Sequence, residues 1–210
     1  MRIDKKTELA KFHRNNIIAA AECLFSEKGL ERTTMDDIAK KADYSKATIY
    51  VYFKNKDEIF SMIVYNSMKL LRDQIGNAIT VGADFYEKYS GICNELVRYR
   101  EDYPLYFEST IGEINVDLEA DETPQVFRDI FLVGEEINEE IAVFLQDGLN
   151  QGIVREDIEM LQTVHFFWSC IVGLIRMAGQ KQKYIEKAMG ITKNEFLQNG
   201  FATLLRSILT

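Results

Sequence analysis

Between Ile17 and Phe25 the apolar positions are Ile17, Ile18, Ala21, Leu24 and Phe25, spaced i, i+1, i+4, i+7 and i+8 along one face of an α-helix. This pattern predicts a first helix from about Thr7 to Lys28. It stops at Gly29, because a left-handed terminus is cheap for glycine. In the following "TTMDDIAKKA", Thr34 has the position of an N-cap and Asp37 that of its capping-box partner, aspartate replacing the usual glutamate. Ile38, Ala39 and Ala42 form the apolar side of a short second helix. Ser45 caps a third, whose inward pair is Ile49 and Phe53 at i, i+4. Asn55 and Glu58 open a long helix from Lys56 to about Asn77. Residues 7–54 therefore hold three helices, the second and third separated by about three residues, which is a helix-turn-helix.

The remaining pattern is also helical. Helices are expected over roughly Asp84–Tyr103, from Pro104 for a short stretch, from Thr123 and Pro124 to about Gln151, from an Asp157 cap to about Gly179, and from a Thr192 cap to the end. The acidic "NVDLEADE" (115–122) reads as a loop. With two prolines and no repeat, the fold class is all-α, with about nine helices in all. A helix-turn-helix domain over 1–55 would precede a helical domain over 56–210.

Charge sharpens this division. Residues 1–56 carry 12 Lys and Arg against 8 Asp and Glu, while residues 57–210 stand at -12 within a whole-chain charge of -8. A basic head on an acidic body suggests that the head has a polyanionic partner. The three cysteines, Cys23, Cys93 and Cys170, are far apart beside apolar residues and read as structural thiols of a reducing compartment. The opening "MRIDKKTELAKFHRN" lacks an apolar signal core, so a cytoplasmic protein is expected. The most apolar run, Val164 to Ala178, is interrupted by Ser169 and Arg176. It reads as a buried helix rather than a membrane span.

The candidate chemistry lies in "SKATIYVYFKNK" (45–56). With Ile49 and Phe53 inward, Lys46, Ala47, Thr48, Tyr50, Val51 and Tyr52 face partly or wholly outward. Bare tyrosines are unusual on a solvated helix but suit a helix pressed into the major groove of DNA. There Tyr hydroxyls and the Lys ammonium reach phosphates, and Thr, Ala and Val meet base edges and thymine methyls. The helix N-termini at Thr34, Ser45 and Asn55 add backbone N–H groups aimed at anions.

The block "FSEKGLERTTMDDIAKKADYSKATIYVYFKNKDEIF" (25–60) resembles the DNA-binding domain of the TetR family of bacterial transcriptional regulators. Phe25, Gly29, Thr33-Thr34, Ile38-Ala39, Ser45 to Tyr50, Tyr52-Phe53, Lys56 and Asp57-Glu58 carry the likeness. Beyond it, "LNQGIVRED" (149–157) is similar to the end of a helix in the family's regulatory domain, and "FFWSCIVGLIRM" is similar only loosely. The resemblance implies that Thr33, Thr34 and Lys56 contact phosphates, that Lys46, Ala47, Thr48 and Val51 face bases, and that Tyr50 and Tyr52 anchor the backbone. Asp43 and Ala47 stand where the family commonly has glycine. Aspartate visits the left-handed region readily enough to keep the turn.

Tyr103, Phe107, His165 and Trp168 are candidates to line an effector pocket, with core packing as their ordinary alternative. The run 164–178, apolar nearly all round, should be buried on two sides. With Phe196, Phe201, Leu204, Leu205 and Ile208 of the last helix it could form a four-helix dimer interface, as the resemblance also implies. Glu135, Glu136, Glu139 and Glu140 read as a solvated acidic face. Two histidines, no phosphate loop and no nucleophile elbow give no basis for an enzyme, a cofactor or a metal site. The expected function is a homodimeric repressor binding a near-palindromic double-stranded DNA operator and released by an unidentified, largely apolar or aromatic small molecule. The alternative is a helical ligand-binding protein whose head contacts another protein.

Overall fold

The computed structural model describes residues 5–110 and 123–210, so the 115–122 stretch expected as a loop lies outside the described residues. Ten helices occur among them: α1 (Lys5–Lys28), α2 (Met35–Ala42), α3 (Lys46–Tyr52), α4 (Lys56–Val81), α5 (Phe85–Asp102), α6 (Pro104–Thr110), α7 (Gln125–Asn150), α8 (Met160–Gln180), α9 (Gln182–Met189) and α10 (Lys193–Arg206). The chain divides into two compact units. One runs to Ser67 and includes the opening of α7 as far as Phe131; the other holds the rest.

The first unit is organised around a small core. Ile17, Ala20, Ala21 and Phe25 of α1 are buried with Ile38 and Ala39 of α2, Ile49 of α3, Phe53, and Ile59 and Ile63 of α4. The Phe25 and Phe60 rings meet edge to face at 5.8 Å. Burial of each large apolar side chain contributes roughly 1.5–3 kcal/mol. Local signals set the helix ends. Gly29 (φ 82°) and Asp43 (φ 59°) are both left-handed, and the Thr34–Asp37 capping box is complete. Asn55 Oδ1 accepts from the Glu58 N–H at 2.8 Å, starting α4.

In the second unit, α5, α7, α8 and α10 supply the core. Tyr89, Ile92, Leu96, Ile137, Phe144, Phe167, Ile171, Ile175, Leu197 and Phe201 are all buried. The Phe85 and Phe144 rings stack at 4.5 Å, and the Tyr89 hydroxyl donates to the Phe201 carbonyl at 2.9 Å. Burial pushes the Cys93 thiol up to about 12, which keeps it an inert core group.

Several expectations change. The tenth helix is α9, whose one buried residue is Ile185; a single inward side chain gives too little periodicity to mark a helix in sequence. The long α4 continues four residues past Asn77 to Val81. Glu159, not Asp157, caps α8 by accepting from the Gln162 N–H at 2.8 Å, while Asp157 pairs with Arg155 at 3.0 Å. At 21 residues, α8 is by length and composition alone long and apolar enough to cross a membrane. Val164, Phe167, Ile171, Val172, Ile175 and Ala178 nevertheless face this unit's interior, and Leu161, Phe166, Cys170 and Met177 are exposed. Within the chain α8 is therefore buried on one side, not two. Glu140 also departs from a solvated acidic face. It is half-buried against Gly76, and desolvation raises its carboxyl above the usual range.

Gly148 lies where α7 passes closest to Phe85 and Val154, and a Cβ there would collide with both side chains. Gly148→Ala is expected to destabilise the protein by about 1–3 kcal/mol through overpacking. Urea unfolding checks this: the midpoint should fall, and an unchanged midpoint would show that the contact yields freely.

Candidate nucleic-acid interface

Seven residues, KATIYVY, make up α3. So short a helix has little stability of its own, and its position comes from tertiary packing. Ile49 is 0% and Phe53 1% exposed, so this face is sealed. Ser45 Oγ accepts from the Thr48 N–H at 3.1 Å and also bonds the Thr48 hydroxyl at 2.8 Å, fixing the first turn. The Arg14 guanidinium lies 4.5 Å over the Phe53 ring and donates to the Tyr52 carbonyl at 3.2 Å, satisfying the last turn.

The outward face follows from this anchoring. Lys46, Ala47, Tyr50 and Val51 are exposed, Val51 at 77%, whereas Thr48 and Tyr52 are half-buried. Lys46 Nζ is 2.7 Å from Asp36 Oδ1 of α2. Of the neighbouring aspartates, Asp37 serves the fold. Lys28, then the Thr34 hydroxyl and N–H, hold its carboxyl well below the ordinary carboxylate range.

Two expected phosphate contacts have other partners within the head. Thr33 is 1% exposed and its hydroxyl donates to the Gly29 carbonyl at 2.8 Å. Its side chain is consumed in closing the loop after α1, which corrects its placement at the surface. Lys56 Nζ donates to the carbonyls of Leu30 (2.9 Å) and Glu31 (3.2 Å), tying that loop to the start of α4. Thr34 is exposed at the α2 N-terminus and Ser45 at that of α3.

Sequence reasoning missed His13, Arg14, Asp36 and Tyr44. His13 Nδ1 lies 2.7 Å from the Tyr44 hydroxyl, which Asn16 also approaches at 3.4 Å, and the His13 ring is 5.8 Å from that of Tyr52. His13, Arg14 and Asn16 thus brace Tyr44 and Tyr52, on either side of the α3 surface, from α1, while Asp36 meets Lys46 from α2. The α1 pairings span 28 to 39 positions in sequence, and no periodicity signals them.

Residues 17–63 match the family model of bacterial regulatory proteins, tetR family. The protein thus carries a TetR-family DNA-binding domain, the domain of bacterial transcriptional regulators. It is similar to the uncharacterised HTH-type transcriptional regulator YhgD of Bacillus subtilis, with 27% identity over 139 residues, covering 66% of this chain and 70% of that one. It is also similar to the biofilm operon icaADBC negative transcriptional regulator IcaR of Staphylococcus epidermidis, at 42% identity over 60 residues, 29% of this chain and 32% of IcaR. In fold it is similar to the TetR-family regulator PfmR of Thermus thermophilus, with a TM-score of 0.65 and 24% identity, covering 90% of this chain and 97% of that one.

In the second unit the expected effector and partner residues are distributed unevenly. Tyr103 is half-buried and Phe107 buried, both in an aromatic group with Tyr99 (5.6 and 6.3 Å). Trp168 is half-buried. His165 is exposed and bonds the Leu161 carbonyl of its own helix at 2.8 Å, which corrects its place in an interior pocket of the subunit. Phe201, Leu205 and Ile208 are buried inside the chain, so their apolar area is not free for a partner; Phe196 and Leu204 are half-buried. The physical reason is close packing of α10 on α8, where a Cβ on Gly200 would come within 2.9 Å of Leu174.

Because Lys56 donates two hydrogen bonds to loop carbonyls, Lys56→Met should lower the stability of the head by about 1 kcal/mol. Thermal unfolding without DNA measures this. An unchanged transition would assign Lys56 no role in holding the loop.

Proposed function

We propose that this regulator is a cytoplasmic, homodimeric repressor that places two copies of α3 in successive major grooves of a near-palindromic operator and leaves it when a small molecule binds the second unit. The observation that carries this reading is the exposed, mostly uncharged face of α3, with Lys46, Ala47, Tyr50 and Val51 outward and Ile49 and Phe53 sealed behind them. Ala47, Val51 and the Thr48 methyl offer apolar contact to base edges, and Lys46 offers donors to guanine. Thr34, Ser45, Tyr50, Tyr52 and the remaining N–H of Lys56 are placed on phosphates in this reading, with the backbone N–H groups at the start of α2 assisting. The role of IcaR as a negative regulator supports repression.

The exposed face of α8 supports the dimer. Leu161 is 63% and Phe166 65% exposed on a helix whose opposite face, with Val164, Phe167, Ile171 and Ile175, is packed into a core, and a two-fold-related copy would cover them. Phe196 and Leu204 would flank that contact. An apolar or aromatic effector fits the Tyr99, Tyr103 and Phe107 group, with Trp168 as a further candidate. The effector shifts the equilibrium only by its preference for the state that cannot bind DNA; a ~10-fold preference supplies about 1.4 kcal/mol.

Selection from a random duplex library should enrich a near-palindrome whose half-site centres lie about 34–36 Å, one helical turn, apart. Recovery of unrelated sequences would contradict the reading. Phe166→Glu should yield monomers in sedimentation velocity and lose retention of the enriched duplex. A persistent dimer would move the interface off α8.

A further inference from the structure

The seven residues of α3 include one charged group, Lys46, and that group is held by α2: Nζ lies 2.7 Å from Asp36 Oδ1. We propose that Asp36 is a specificity-determining residue that keeps the Lys46 ammonium at base edges and withholds it from phosphates. The proposal rests on the DNA-binding reading above and concerns how that site discriminates one duplex from another.

An ammonium has three N–H donors. Asp36 accepts one, which fixes the direction of the Lys46 side chain and leaves two for acceptors such as guanine O6 and N7. A phosphate drawn to Lys46 must also approach the Asp36 carboxylate, which repels it. Non-specific affinity arises almost wholly from neutralised phosphates, so Asp36 weakens non-specific binding more than base-directed binding. The surroundings reinforce this. Lys28 is paired with Asp37 at 2.7 Å, Lys56 with two carbonyls, and Arg14 with Tyr52 and Phe53. Lys46 is thus the one cation within α3 itself, and its commitment sets how strongly the helix face, as distinct from the exposed Lys54 that follows it, is drawn to a backbone. Asp36 is also dispensable to the α2 cap, which Asp37 makes, so it can be changed without removing that cap.

The test uses the full chain, a duplex enriched by the wild-type protein from a random library, and a scrambled duplex of the same composition. Affinities are read by fluorescence anisotropy across a salt series. Asp36→Asn should tighten binding to the scrambled duplex by about three- to tenfold, steepen its log–log salt slope by about 0.9, and leave the enriched duplex within about twofold. Asp36→Glu, which keeps the charge, should retain the wild-type ratio between duplexes. Adding Lys46→Met to Asp36→Asn should abolish the gain. Equal tightening on both duplexes, or a gain that survives Lys46→Met, would overturn the proposal. A wild-type protein that enriches no duplex overturns the DNA-binding reading and this proposal with it, and that outcome is visible before any variant is made.

Discussion

Burial of Ile49 and Phe53 is the constraint on which the head depends. A seven-residue helix cannot hold itself in water, so α3 exists because these two side chains are buried in the head, as are Ile17, Ala21, Phe25, Ile38 and Ile59. Their i, i+4 spacing fixes the rotation of the helix about its axis. That rotation decides that Ala47, Tyr50 and Val51 stand outward. Arg14 then closes the far end by covering the Phe53 ring and meeting the Tyr52 carbonyl. The presented surface is thus a consequence of the core behind it.

The same economy governs charge. The head is basic by count, yet much of that charge is tied to structure: Lys28 on Asp37, Lys46 on Asp36, Lys56 and Arg32 on loop carbonyls. Attraction to a polyanion therefore depends on backbone N–H groups at helix starts, on uncommitted hydrogen bonds of partly engaged cations, and on exposed lysines such as Lys54. A surface of this kind favours contact geometry over bulk electrostatics, and the acidic second part of the chain opposes indiscriminate adhesion to DNA.

Much of the head was legible in the sequence because its signals are local. The Gly29 stop, the Thr34–Asp37 box, the left-handed Asp43 and the Ser45 and Asn55 caps each act within a few residues. The fates of Thr33, Lys56 and Lys46 were not legible, since each is settled by a partner 4 to 26 residues away that no periodicity marks. In the second unit the apolar stripe of the last helix was visible, but not whether its own subunit or a partner covers it. Phe201, Leu205 and Ile208 are covered internally, and exposed apolar side chains lie instead on α8, at Leu161, Phe166 and Met177, and on α7, at Leu132 and Val143. A polar stretch with one inward residue, Ile185, concealed a whole helix.

The central claim is that the outward face of α3 meets the base edges while Ile49 remains sealed behind it. Methyl-labelled protein bound to its enriched duplex tests this directly through intermolecular nuclear Overhauser effects. The account predicts cross-peaks from the Ala47 and Val51 methyls to base protons or thymine methyls, and none from Ile49. Contacts from the duplex to other surfaces with Ala47 and Val51 silent would contradict it.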